Sequence, residues 1–198
     1  SLRIAMVVDP WSLPFNGTVV STRRFAFALI AAGFRIRVLA IDADPAVDSV
    51  AFQRLSIPGF NRIINAMRAP LARSDRSKLR AALQDCDVLH VQFPFFLGHA
   101  AIGEARRLGI PIVCSFHVQP ENILLNLGIS NRLVRNLLYR FFVARFFNRA
   151  DCLVVPSEFG ARMLREQAVV PPVHVVSNGV PAGFFEVPGQ TARISEKG

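Results

Sequence analysis

The sequence is short of cysteine, of acids and of long apolar runs, and each shortage excludes something. Cys86, Cys114 and Cys152 are odd in number and form no C-x-x-C pair. Neither a disulfide frame nor a zinc knuckle is therefore indicated, and a reducing, cytoplasmic compartment is expected. His90, His99 and His174 share no ligand spacing with one another or with the cysteines, so no metal is expected. No apolar stretch reaches the ~18–20 residues of a membrane span. The first apolar run, Ile4 to Val8, stops at Asp9 and is too short for a secretory signal. Neither G-x-x-x-x-G-K-[ST] nor G-x-G-x-x-G occurs, so the two common phosphate-binding glycine motifs are absent.

What the chain does have is apolar bulk and localised positive charge. It has 198 residues, 52% of them apolar and 19% charged, which excludes a disordered chain and suffices for one core. Net charge is +9, but two stretches carry more than all of it. Phe52 to Arg80 holds seven bases against Asp75 alone, and Asn131 to Ala150 holds five arginines and no acid. The remainder is slightly acidic. Such stretches are either solvated helix faces or a surface for an anionic partner. No nucleic-acid module and no aromatic stacking platform accompanies them, so nucleic acid is not expected.

Short, nearly continuous apolar runs alternate with helical patterns. Strands are expected at Ile4–Val8, Ile36–Ile41, Val88–Phe93, Ile112–Phe116, Cys152–Val155 and His174–Val176. Helices are expected at Thr22–Ala32, Arg76–Gln84, Ala100–Leu108, Glu121–Leu127, Arg132–Asn148 and Glu158–Gln167, with Gly33 and Gly109 as C-caps and Ser157 as an N-cap. This alternation implies an α/β domain, a parallel sheet with helices on both faces. The domain should cover residues 1–180. From Pro181 periodicity fades into Gly and Pro, which reads as a linker over 181–198.

In such a sheet ligands bind beyond the carboxyl ends of the strands. The loop Asp9–Thr18 follows the first strand. There Asn16-Gly17 suits a tight turn of positive φ, Gly17 allows close approach, and the next helix offers free N–H groups to an anion. An ordinary strand–helix turn is the alternative. After the fourth strand, His117-Val118-Gln119-Pro120-Glu121-Asn122 crowds an imidazole, two amides and a carboxylate into six residues. Pro120 and Glu121 suit the first turn of a helix. A satisfied histidine and a helix-supporting glutamate are the plainer reading. Cys114, inside an apolar strand, reads as core.

In order along the chain, PFNGTVVSTRRFAFAL, VQFPFFLGHAAIGEARRLGIPIVCSFHVQPENI, ADCLVVPSEFGARML and VVSNGV resemble the N-terminal domain of glycosyltransferase family 4. FHVQPEN and the preceding PFFLG are most similar to its bacterial branch of diacylglycerol glucosyltransferases. The resemblance implies a Rossmann-like domain, the N-terminal half of a GT-B fold, in a retaining enzyme that uses a nucleotide sugar, UDP-glucose, as co-substrate and no other cofactor. Asn16, Gly17 and Thr18 match the loop that approaches the donor diphosphate. His117 matches the histidine that contacts the transferred sugar. Gln119, Glu121 and Asn122 would shape the sugar or acceptor site, and Asn178-Gly179 would be structural. The family's glutamate pair belongs to the C-terminal donor domain, which this chain lacks. Glu158 and Glu166 imitate its spacing but read as helix-surface carboxylates, and residues 181–198 would open that missing domain. The chain alone is expected to be inactive.

A membrane-lipid acceptor is implied, and with it a peripheral position on an anionic membrane surface at the inner face of the cell membrane. Arg73, Arg76, Lys78, Arg132 and Arg135 are the expected membrane contacts. Leu133, Val134, Leu137, Leu138 and Phe141 fall within one helical arc, and Phe142, Phe146 and Phe147 exceed what one core-facing stripe needs. A soluble saccharide acceptor and a non-catalytic binding module remain the alternatives.

Overall fold

A computed structural model describes residues 1–13, 16–56, 70–117, 124, 128 and 130–179. Its strands are β1 (Arg3–Val7), β2 (Arg35–Ala40), β3 (Asp48–Ala51), β4 (Val88–Val91), β5 (Ile112–Ser115), β6 (Cys152–Val155) and β7 (Val173–Val175). All pair in parallel in one sheet of order β3-β2-β1-β4-β5-β6-β7. The helices are α1 (Gly17–Ala31), α2 (Arg76–Leu83), α3 (Phe96–Leu108), α4 (Arg132–Arg145) and α5 (Glu158–Glu166). A 3₁₀ turn, Phe147–Arg149, follows α4.

The period of two in the strands sorts their side chains into two cores. Met6, Val8, Ile36, Val38 and Ala40 meet Val19 and Ala26 of α1. Ala5, Val7, Leu39, Leu89 and Val91 meet the apolar faces of α2, α3 and α4. The inner strands are therefore largely apolar at consecutive positions, the pattern from which a parallel sheet was expected. Burying a leucine such as Leu79 or Leu97 in full contributes roughly 1.5–3 kcal/mol.

Three differences from the sequence reading have local causes. β3 was not expected: Asp48-Ser-Val-Ala is a poor strand sequence, yet it pairs along β2 at the sheet edge. There the Asp48 carboxylate accepts from Arg37 Nε at 2.9 Å. α1 starts at Gly17 instead of Thr22. Asn16 Oδ1 accepts from the Thr18 and Val19 N–H groups at 3.0 and 3.2 Å, and Val19 is buried, which together draw a weak helix-forming stretch into the helix. α3 starts at Phe96 instead of Ala100 because Gly98 lets its first turn press onto the end of β4. A Cβ at Gly98 would collide with the Phe93 carbonyl and lie 2.8 Å from Val91 Cγ1.

The expected caps hold. Gly33 (φ 88°) and Gly109 (φ 70°) end α1 and α3, and Ser157 Oγ accepts from the Gly160 N–H. The expected helix Glu121–Leu127 lies outside the described residues except Leu124, which is buried, and so does the tail 181–198.

Candidate active site

β1 sits between β2 and β4, so successive elements leave the sheet in opposite directions on either side of it. The crevice beyond β1 and β4 is the place where such sheets bind ligands. Alternation puts His90 and Gln92 of the β4 stretch, and Ser115 and His117 of the β5 stretch, on the face covered by α1. There they interlock. His117 Nε2 lies 3.0 Å from Gln92 Oε1, and His90 Nε2 lies 2.8 Å from Ser115 Oγ. Thr22 Oγ1 donates to the Thr18 carbonyl at 2.8 Å and sits 3.4 Å from Gln92 Oε1. The Phe25 ring meets His90 edge-on. Ser177 and Asn178, beyond β7, help close a cavity of about 30 Å³ over this cluster, the share of one water molecule.

Burial governs the charge of these groups. It pushes the His90 pKa down to about 3, helped by His117, and the His117 pKa down to about 4. Both imidazoles are therefore neutral near pH 7. With Gln92 Oε1 accepting, His117 carries its proton on Nε2 and leaves Nδ1 as an acceptor; the opposite amide orientation would reverse this. Gln92 Nε2 is buried with no partner. The cluster thus offers hydrogen bonds to a hydroxyl-bearing ligand and no positive charge.

The first loop is fixed from below by residues that the sequence reading passed over. Trp11 is fully buried, and its Nε1 donates to Asp44 Oδ2 at 2.7 Å. The Trp11 and Ser12 N–H groups donate to the two oxygens of Asp42 at 2.8 and 2.7 Å. The Arg23 guanidinium stacks 5.0 Å from the Trp11 ring and pairs with Asp44 at 3.3 Å. The Ala46 N–H and then Trp11 Nε1 hold the Asp44 carboxyl below its usual range. Asp9, buried at the end of β1, accepts from the Ala72 N–H at 2.7 Å through Oδ1 while Oδ2 has no partner, and burial raises its pKa to about 7. Two aspartates directly after β2, and one directly after β1, are the signal that was there to be read.

Asn16, Gly17 and Thr18 stand where the first loop enters α1. Gly17 does not have the expected positive φ: it is the first residue of α1, in ordinary helical conformation. A Cβ there would meet nothing within 4 Å, so the space beside it is open. The cap itself takes two of the four N–H groups that a bare helix start would offer an anion.

The other expected residues divide. Gln119, Glu121 and Asn122 lie outside the described residues. Arg73, Arg76 and Lys78 are exposed around the start of α2, but Lys78 Nζ is held by the Ala51 carbonyl and rests on the Phe52 ring. Arg132 and Arg135 lie on the first turn of α4, Arg132 exposed and Arg135 half-buried. The apolar arc of α4 is real but outward-facing: Leu133 is 78% exposed, Leu137 67% and Phe141 58%, while Tyr139, Phe142 and Val143 are buried. Asn178, expected to be structural, borders the His117 cavity. Glu158 is exposed and pairs with Arg165 on its own helix. Cys114 is core, and burial pushes its thiol up. Among the described residues no three His, Cys, Asp or Glu cluster as metal ligands, and no helix is long and apolar enough to cross a membrane.

Residues 15–184 match Glycosyltransferase Family 4. Among curated proteins the chain is 24% identical over 188 residues to the alpha-monoglucosyldiacylglycerol synthase of Streptococcus pneumoniae, covering 94% of this chain and 42% of that protein. It is 27% identical to a GDP-mannose-dependent alpha-mannosyltransferase of Mycolicibacterium smegmatis, covering 90% of this chain and 48% of that one. The chain thus spans about half the length of the curated relatives it matches. Among solved structures, Anabaena HepE in complex with UDP-glucose superposes with a TM-score of 0.62 at 13% identity, over 91% of this chain and 44% of that one. At that identity the likeness concerns the fold alone, the N-terminal half of a GT-B architecture.

Proposed function

The chain belongs to glycosyltransferase family 4, and from that premise we propose that it is the acceptor-side half of a retaining enzyme. The complete protein moves glucose from UDP-glucose to a membrane lipid such as diacylglycerol. The observation that carries the lipid acceptor is α4, whose exposed arc of Leu133, Leu137 and Phe141 runs beside Arg132 and Arg135. An apolar stripe flanked by arginines suits a helix lying in an anionic interface. The protein then works peripherally, at the cytoplasmic face of the membrane.

In this reading the donor diphosphate lies at the start of α1, where Asn16, Gly17 and Thr18 present backbone and Gly17 leaves room. Neutral His117, oriented by Gln92, bonds a hydroxyl of the transferred sugar. Gln119, Glu121 and Asn122 complete the sugar and acceptor contacts. The anomeric C–O bond breaks with its electron pair going to the diphosphate. The acceptor oxygen bonds the anomeric carbon on the same face, and its proton passes to the departing phosphate oxygen. This half supplies position and fixed dipoles. A donor half supplies the other wall in this reading, and the 198-residue chain alone is inactive.

The test is transfer of labelled glucose from UDP-glucose to diacylglycerol in anionic vesicles by the complete protein, with this chain as control. Labelled lipid from the complete protein alone is expected. Its absence from a folded complete protein overturns the lipid reading. The mannosyltransferase likeness favours a second donor, so GDP-mannose is assayed in parallel.

A further inference from the structure

The two basic stretches, separate in sequence, meet in one groove. Between α3 and α4 lies an open pocket of about 490 Å³, within the ~300–1,000 Å³ typical of small-molecule sites and far more than a bare phosphate needs. Arg76 enters it from the first stretch, Arg145 and Arg149 from the second. Among the described residues no acidic side chain lines it. Arg107, also on its wall, is bonded to Glu104 at 2.6 Å, whereas none of the other three forms an ion pair among the described residues. Burial, with Arg149 and Arg145 alongside, holds His99 in the same wall below the usual imidazole range, as a positive surrounding should. Part of the remaining wall is aromatic: Phe96 and Phe141 are 54% and 58% exposed there. Phe141 is also the last member of the outward arc that continues through Leu137 to Leu133.

We propose that this groove binds one molecule of an anionic phospholipid, its phosphate among Arg76, Arg145 and Arg149 and one acyl chain against Phe96 and Phe141. Charge complementarity selects the headgroup, since among the described residues three guanidiniums without an ion pair line the cavity and no carboxylate does. The aromatic wall selects a lipid over a free phosphate. The site differs from the sugar site: it lies on the opposite face of the sheet from the His117 cluster, and its lipid is bound but not glycosylated. It rests on the proposed function only in placing the protein at a membrane.

Calorimetric titration of the complete protein with monomeric dihexanoylphosphatidylglycerol tests it, with dihexanoylphosphatidylcholine and glycerol 3-phosphate as comparison probes. One saturable site is expected for the anionic lipid, at least tenfold weaker for either comparison probe. The double variant Arg145→Gln, Arg149→Gln and the single variant Phe141→Ser each weaken it at least tenfold, while Arg162→Gln on α5 leaves it unchanged. Phe96→Ser replaces Phe141→Ser if the latter fails to melt cooperatively. Equal affinity for glycerol 3-phosphate, equal loss in Arg162→Gln, or no saturable binding because another segment of the protein fills the groove would each overturn the proposal. Sugar transfer, assayed on the same samples, reads the enzymatic function separately. Transfer without lipid binding removes the groove alone, and binding without transfer removes the lipid acceptor alone.

Discussion

Where β4 and β5 end, polar side chains face one another; in the groove between α3 and α4 they face open space. His90, Gln92, Ser115, His117 and Thr22 are buried or nearly so, bonded in pairs around a space of one water, and both imidazoles are neutral. Arg76, Arg145 and Arg149 line a pocket sixteen times larger. The first arrangement is preorganised and tolerates little change, because a buried polar group that loses its partner costs about 1–3 kcal/mol. The second is paid for by solvent until an anion arrives. The two regions thus differ both in residue type and in burial: neutral His, Gln, Ser and Thr packed together in one, arginines lining an open pocket in the other.

Gly98 serves both regions, since α3 begins over the end of β4 and forms one wall of the groove. Gly98→Val should therefore be the most damaging single change, about 3 kcal/mol in a urea melt, through overpacking against the Phe93 carbonyl and Val91. An unchanged melting curve would break the close coupling of the two regions. Next, His117→Ala in the complete enzyme should lower kcat by about a hundredfold or more, while the far-ultraviolet spectrum stays that of the parent and stability falls by no more than the ~1–3 kcal/mol of a Gln92 carbonyl left without its imidazole. Near-normal turnover would remove His117 from the sugar site.

A smaller effect comes with pH. The His90 and His117 pKa values, about 3 and about 4, lie below the 6.5 of an unfolded histidine, so their contribution is lost as pH falls from 6.5 to 4. Asp9 acts oppositely. Its pKa of about 7 lies above 3.8, so its contribution is lost as pH rises through that window. Counting these three groups, the unfolded chain takes up about one proton net, a fall of ~1.4 kcal/mol per pH unit on acidification, and His99 and Asp44, also held low, steepen it. Asp9→Asn should add up to ~1.4 kcal/mol per pH unit to that slope, as read from urea melts at pH 4.5, 5.5 and 6.5. The smallest effect belongs to the groove: Arg145→Gln should shift stability by no more than ~0.5 kcal/mol, because its guanidinium is exposed and without an acid partner among the described residues.

Much of this was legible in advance. Five strands are readable because both their faces are largely buried, β7 at the exposed edge only by its short β-branched run, and His117 stands out as a polar residue directly after an apolar run. His90, Gln92 and Ser115 are not readable as site residues. Within a strand one polar residue among apolar neighbours fits an ordinary exposed position as well as a buried cluster, and only the pairing of β4 with β5 brings these three together. α4 shows a different limit. It carries two apolar arcs, and periodicity finds both without saying which one meets the sheet. That depends on Phe146 and Phe147, which anchor the helix end in the core and turn Leu133, Leu137 and Phe141 outward.

The order of the strands has a consequence in time. β1, β2 and β3 are contiguous in the sheet and leave a ribosome before β4, so a paired edge exists before β4 is made. β4 must then return across more than eighty residues to the free side of β1, the one distant closure in the sheet and the slow kind of contact in folding. From there β5, β6 and β7 each dock on the strand made just before, so no strand ever has to insert between two others. Growth proceeds at one open edge in the direction of synthesis, and until β4 closes the gap the edge of β1 is the exposed surface a chaperone would have to guard.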